Sequence, residues 1–227
     1  MMIPTLKTIM NRAFSIKIHL LFAIIILMLS SCNKTDIENI ENKETAYMND
    51  SSKNPAIDVI MSRKSVRNFT KDTVTEEDLM TILKAGMAAP TAVNKQPWSF
   101  IVVTDRKILD KLGDALPYAK MIYQAPAAII VCAHPEWAHQ TKPLEYAVID
   151  CSCASENILL AVEALGLGAV WTAAYPREER MKSVREICGI PENVIPLNVI
   201  PIGHPTGEDK PKDKYKPDRI HYNRWNP

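Results

Sequence analysis

The chain has 227 residues, 47% of them hydrophobic and 23% charged, enough for one sizeable core. Its net charge of +1 excludes the broad basic field that draws a protein to nucleic acid.

Lys7, Arg12 and Lys17 precede an unbroken apolar run from Leu20 to Leu29, followed by Ser30-Ser31-Cys32. Ten apolar residues are too few to span a bilayer, and basic, apolar and small segments in that order describe a secretory signal. The ending Leu29-Ser30-Ser31-Cys32 is similar to a bacterial lipobox, which implies lipidation of Cys32 and a lipid anchor in the bacterial cell envelope. Residues 1–31 are thus expected to be the signal, and 32–54, rich in Asn, Glu, Asp, Lys and Ser, a flexible tether. A coil of that length spans about 25–30 Å. The folded domain is expected over 55–227.

A short amphipathic run, Ala56 to Met61, leads into Ser62-Arg63-Lys64-Ser65-Val66-Arg67-Asn68-Phe69. In an extended segment Arg63, Ser65 and Arg67 point the same way, and two guanidinium forks beside a hydroxyl suit a phosphate. Thr75-Glu76-Glu77-Asp78 opens a helix with Leu79, Ile82, Leu83 and Gly86 on one face, ended by Pro90. A turn-rich loop, Ala89 to Trp98, runs into a strand from Ser99 to Thr104. Asp105 caps a helix that turns Ile108, Leu109, Leu112 and Leu116 inward. The continuous apolar stretch Ala127 to Ala133 predicts a buried strand.

The segment Leu144 to Leu165 is apolar on nearly every face, which predicts a central helix, stopped at Gly166. A strand from Ala169 to Ala173, a helix from Pro176 to Cys188 and a strand from Val194 to Ile202 follow. The tail from His204 is polar and rich in proline, yet it carries Tyr222 and Trp225, which need a surface to dock on. The order predicts an α+β or α/β fold with helices covering a small sheet.

Several motifs are excluded by context. Gly166-Leu167-Gly168 follows a helix and precedes a strand, the reverse of a dinucleotide fingerprint. There is no P-loop and no Gly-x-Ser-x-Gly. Cys151 and Cys153 are two apart on a helix and point away from each other, so they cannot chelate one metal. His134 and His139, with Glu136 between them, lack a further ligand. No metal is expected, and no side-chain acid or base stands out as catalytic.

Arg63-Lys64-Ser65-Val66-Arg67, the loop Ala89-Pro90-Thr91-x-x-Asn94-x-Gln96-Pro97-Trp98, Gly166-Leu167-Gly168-Ala169-Val170-Trp171 and the basic Lys212-Asp213-Lys214 form a pattern that resembles the nitroreductase family of flavin-dependent enzymes. The resemblance covers Pro55 to Trp225. It implies a three-layer α+β fold, helices around a small mixed sheet, in a homodimer whose C-terminal tail embraces the partner. It implies FMN held by Arg63, Lys64, Ser65 and Arg67, with Pro90, Thr91, Ala92 and Asn94 reaching the same flavin from the other subunit. Ala173 and Ala174 match the backbone that meets the flavin edge, and Lys212 and Lys214 match a basic pair on the phosphate. The chemistry then belongs to the flavin: NAD(P)H or another envelope donor reduces it, leaves, and a nitroaromatic or quinone-like acceptor takes its place. Alternatives on the same scaffold are a reductive dehalogenase, a dehydrogenase, or a flavin-binding lipoprotein without turnover.

Overall fold

The protein is described as a computed structural model over residues 54–225, so the expected signal, Cys32 and the tether lie outside the described residues. Two compact units divide the chain, Met1–Asp58 and Val59–Pro227. Of the first, Asn54 caps the opening turn of helix α1 (Pro55–Ser62), its side chain accepting from Ala56 N at 3.0 Å. All that follows concerns the second unit.

Helices α2 (Glu76–Met87), α3 (Arg106–Ala115), α4 (Pro143–Ala164) and α5 (Glu178–Cys188) surround strands β1 (Trp98–Val103), β2 (Ala127–Ala133), β3 (Gly168–Ala169), β4 (Thr172–Ala173) and β5 (Ile195–Gly203). Local chemistry sets the helix ends. Thr75 accepts from Asp78 N, Asp105 accepts from Lys107 N and Ile108 N, and Gly189 takes a φ of 68° behind α5.

The sheet order is β1-β2-β5-β3, with β4 also on β5, and every ladder is antiparallel. The parallel component is a single bridge, Ser65 to Ala169. Alternation along β2 sends Ala128, Ile130 and Cys132 to a core with α3 and α5. Ala127, Ile129, Val131 and Ala133 go to a second core with α2 and α4. Three layers result.

Two expectations are corrected. The strand expected over Ala169 to Ala173 is broken into β3 and β4, although both keep one register against β5: Ala169 faces Ile202 and Thr172 faces Val199. That register sets Val170 opposite Pro201, which has no N–H to give, so the ladder stops and resumes. The second correction concerns α4. Its buried residues, Ala147, Asp150, Cys151, Ala154, Ser155, Ile158, Leu159 and Val162, make one stripe, while Ile149 stays 57% exposed. Ile149 on the far side of this helix has no cover among the described residues.

β5 carries an irregularity opposite β2. Val131 pairs with Asn198 but Cys132 with Pro196, leaving Leu197 as the extra residue of a bulge. The Leu197 carbonyl is thereby turned to accept both Ala174 N, at 3.1 Å, and Tyr175 N, at 3.0 Å.

Candidate functional site

The basic segment is stitched onto the sheet edge. Val66 is buried and donates its N–H to the Ala169 carbonyl at 2.9 Å. A side chain at Gly168 would place its Cβ 2.6 Å from Val66 Cγ1, so glycine here permits the close approach. With Val66 turned inward, Ser65 and Arg67 are both exposed on the opposite side, as the extended spacing predicts.

Arg63 and Lys64 behave differently. Arg63 Nε lies 3.2 Å from Glu156 and Lys64 Nζ 2.9 Å from Glu163, both acids belonging to α4. Lys64 Nζ also donates to the second Glu163 oxygen at 3.1 Å, in a half-buried setting. Lys64 thus ties the segment to α4 through Glu163. Arg63 uses one edge of its fork on Glu156 and keeps the other donors of its guanidinium.

Pro90, Thr91, Ala92 and Asn94 sit on a loop with unusual backbone. Val93, Asn94 and Gln96 have φ of 45°, 58° and 51°, the left-handed region, which is costly for a β-branched valine. Several bonds hold the loop there: Asn94 N to Thr91 O at 3.2 Å, Gln96 N to Thr91 Oγ1 at 3.1 Å, and Gln96 Nε2 to Asn94 Oδ1 at 2.9 Å. Beneath it lies Asp150, 3% exposed, whose Oδ1 accepts from Ala92 N at 3.1 Å. Its Oδ2 has no hydrogen-bond partner among the described residues. Val93 is 71% exposed, and Asn94 is exposed with it, so the loop projects outward.

Of the two alanines expected at a flavin edge, only Ala173 is exposed. Ala174 is fully buried, and its N–H donates to the Leu197 carbonyl at the bulge in β5. Ala173 opens onto a cleft lined by Leu116, Pro117, Tyr118, Ala119, Thr172 and Arg180.

The start of the tail runs beside the basic segment. Thr70 N donates to His204 O at 2.8 Å, Thr206 N to Asn68 O at 3.1 Å, and Arg67 N to Asp209 Oδ2 at 2.9 Å. These bonds bring the tail to Arg67 a few residues before Lys212 and Lys214, both exposed. Beyond them Tyr215, Tyr222 and Trp225 are 69%, 78% and 76% exposed, so among the described residues no surface covers them.

The histidines go elsewhere. His134 Nε2 lies 2.8 Å from Ser99 Oγ, its ring stacks on Trp137 at 3.6 Å, and burial lowers its pKa. His139 packs on Tyr146 instead, at 5.0 Å. Among the described residues no group of three or more His, Cys, Asp or Glu is placed to hold a metal ion, and no helix is long and apolar enough to cross a membrane.

Residue types alone did not single out Asp150, Glu156, Glu163 or Asp209. Asp150 did leave a signal: an acid at the buried spacing between Ala147 and Ala154. The other three are acids whose partners lie up to 142 positions away in the chain.

Residues 60–117 and 115–204 match the nitroreductase family. An Archaeoglobus fulgidus protein named "Putative NADH dehydrogenase/NAD(P)H nitroreductase" is 46% identical over 170 residues, covering 74% of this chain and 97% of its own length. A crystal structure under the same name from Bacteroides thetaiotaomicron is 49% identical, covers 76% of this chain and 99% of its own, and superposes with a TM-score of 0.72. The FMN-dependent nitroreductase of Clostridium difficile, 27% identical, covers 74% of this chain and 98% of its own with a TM-score of 0.67. The fold, the basic segment bridged to the sheet edge, and identity close to one residue in two over nearly the full length of these relatives make this chain a member of the nitroreductase family.

Proposed function

We propose that this oxidoreductase holds FMN along the edge formed by β3 and β4 and passes two electrons from a nicotinamide donor to a nitroaromatic or quinone-like acceptor. The observation that carries the reading is the bridge from Ser65 to Ala169, which sets the open Ser65 and Arg67 on the edge that ends at the open Ala173. Four residues of extended chain separate Ala169 from Ala173, about 13 Å, a span suited to a ligand with a phosphate at one end and a ring at the other. The chain's own features fit such a group: donors at one end, an uncovered backbone at the other, and an unpartnered buried oxygen on Asp150 under the outward loop. Relatives named FMN reductase (NADPH) from Bacillus subtilis and FMN-dependent nitroreductase support FMN here.

FMN, when bound, supplies the hydride chemistry. Arg63 and Ser65 meet the phosphate, with Lys212 and Lys214 approaching from the tail. Arg67 places a positive charge beside the pyrimidine end, where reduction accumulates negative charge. The loop from Pro90 to Asn94, exposed at Val93 and Asn94, serves the flavin of a second copy. Homodimerisation also gives the exposed Ile149 of α4 and the tail aromatics a surface to cover. The lipobox-like ending at Cys32 supports a working enzyme anchored on an envelope membrane, where NAD(P)H or another envelope donor reduces it.

A visible absorption spectrum of the purified protein tests the cofactor. Under nitrogen, NADH or NADPH is expected to bleach the flavin bands and nitrofurazone to restore them. A flavin that no donor bleaches overturns the electron-transfer reading in favour of a binding protein, and a colourless protein that cannot be loaded with FMN overturns both. Fractionation of cells expressing the parent and a Cys32→Ala variant tests the anchor: membrane association of the parent alone supports it.

A further inference from the structure

Lys64 leaves the basic segment on the side away from Ser65 and Arg67. Alternation along the extended chain gives it the same side as Val66, which is buried, whereas Ser65 and Arg67 are exposed. There its Nζ meets both oxygens of Glu163, at 2.9 and 3.1 Å, and the two side chains are only 22% and 12% exposed. The Lys142–Glu145 pair, 3.9 Å apart with side chains 68% and 59% exposed, is by contrast of the solvent-screened kind that contributes little.

Ser65 therefore stands between two fastened neighbours. Lys64 is tied to α4, and Val66 N donates to the Ala169 carbonyl on β3 at 2.9 Å. Arg63 adds a third point, its Nε 3.2 Å from Glu156. Glu156 and Glu163 lie about two turns apart on one face of α4, so a single helix holds both cations. Glu163 is also an acid in the last turn of α4, where the helix dipole is negative and an unpaired carboxylate is disfavoured. Lys64 offsets that charge, so each residue stabilises the placement of the other.

Resting on the FMN reading above, we propose that Glu163 is a positioning residue for the flavin phosphate. It anchors Lys64 on the inner side of the segment, and Lys64 in turn sets the stance of Arg63 and Ser65 without touching the phosphate itself. Arg63 and Ser65 bind; Lys64 and Glu163 keep them in register with the sheet edge.

FMN and riboflavin differ only by the phosphate, so the ratio of their affinities reads the phosphate contact apart from the ring. Both are titrated into the flavin-free full chain and followed by flavin fluorescence, a readout independent of turnover, with a thermal melt for each variant. Glu163→Met keeps bulk and removes both acceptors; the preference for FMN over riboflavin should fall about tenfold with riboflavin affinity unchanged. Glu163→Gln keeps one acceptor oxygen and should lose less. Exchanging the pair, Lys64→Glu with Glu163→Lys, rebuilds the tie with its polarity reversed and should recover most of the preference. A preference unchanged or raised in Glu163→Met overturns the proposal, because the tie then does nothing for the phosphate or keeps Lys64 away from it. An exchanged pair that holds FMN more weakly than Glu163→Met also overturns it, since the charge of Lys64 and not its tie would then matter. Equal losses of FMN and riboflavin mean a merely structural bridge and overturn it as well. If Glu163→Met does not fold, the Gln variant and the exchanged pair decide alone. A parent that binds neither flavin, or both equally, overturns the underlying reading instead, so the two failures are distinguishable.

Discussion

Asp150→Ala is the perturbation that most directly tests how the outward loop is built. The wild-type carboxylate does one visible thing, accepting the Ala92 N–H at 3.1 Å from a position 3% exposed. A hydrogen bond to a charged group contributes about 1.5–3 kcal/mol. Left-handed backbone at Val93 costs about 1–3 kcal/mol. The two are of equal size, so removing the bond frees the loop to leave its strained conformation. Global stability should respond less, because the substitution also removes Oδ2, a buried oxygen that has no partner to lose.

The expected result is therefore a split. Asp150→Ala should weaken FMN binding about 10- to 100-fold, while the melting temperature moves by only a few degrees. Asp150→Asn retains an oxygen for Ala92 N and should keep most of the affinity. The assay is quenching of FMN fluorescence on titration with apo-protein at fixed concentration, with thermal melts in parallel. Unchanged affinity in Asp150→Ala would refute the loop argument. Equal losses in the Ala and Asn variants would also refute it, since the charge rather than the bond to Ala92 would then matter.

Three further outcomes are expected. Arg63→Ala should weaken FMN binding about 10- to 100-fold, because one charge-assisted phosphate contact is worth about 1.5–3 kcal/mol; Ser65→Ala should cost less, and fluorescence titration checks both. Gly168→Ala drives a Cβ to within 2.6 Å of Val66 and should lower the melting temperature by about 2–12 °C, from an overpacking cost of about 1–3 kcal/mol; a melt within a degree of the parent contradicts the close approach. Burial pushes the Cys132 thiol up to about 12, with the neighbouring Cys188 adding to it, and burial raises Cys151 as well. The unfolded chain releases these protons from about pH 9 upward while the fold retains them, so stability is whole below that pH and falls as pH rises toward 12. Urea midpoints at successive alkaline pH values check the direction, and a maleimide should spare both thiols until denaturant is added.

What the sequence determined by itself was whatever depends on near neighbours. The caps at Thr75 and Asp105, the helix end at Cys188, the all-apolar β2 and the alternation that turns Val66 in and Ser65 and Arg67 out were legible, because each follows from chemistry within a few residues. The resemblance in the basic segment, the Pro90 loop and the Gly166-Leu167-Gly168 strand was equally local. Only the tertiary structure decided which cations stay open. Lys64 reads like Arg67 in sequence, yet it is closed by Glu163, an acid 99 positions later that α4 carries to it. Ala173 and Ala174 read alike, but the bulge at Leu197 buries one amide and leaves the other alanine exposed. Asp150 came under the loop, and Arg180 over Tyr118, through packing between distant segments. The reason is physical: an ionic or hydrogen-bonding group has no fixed role until its partner arrives, and that partner is chosen by how helices and strands dock rather than by spacing along the chain.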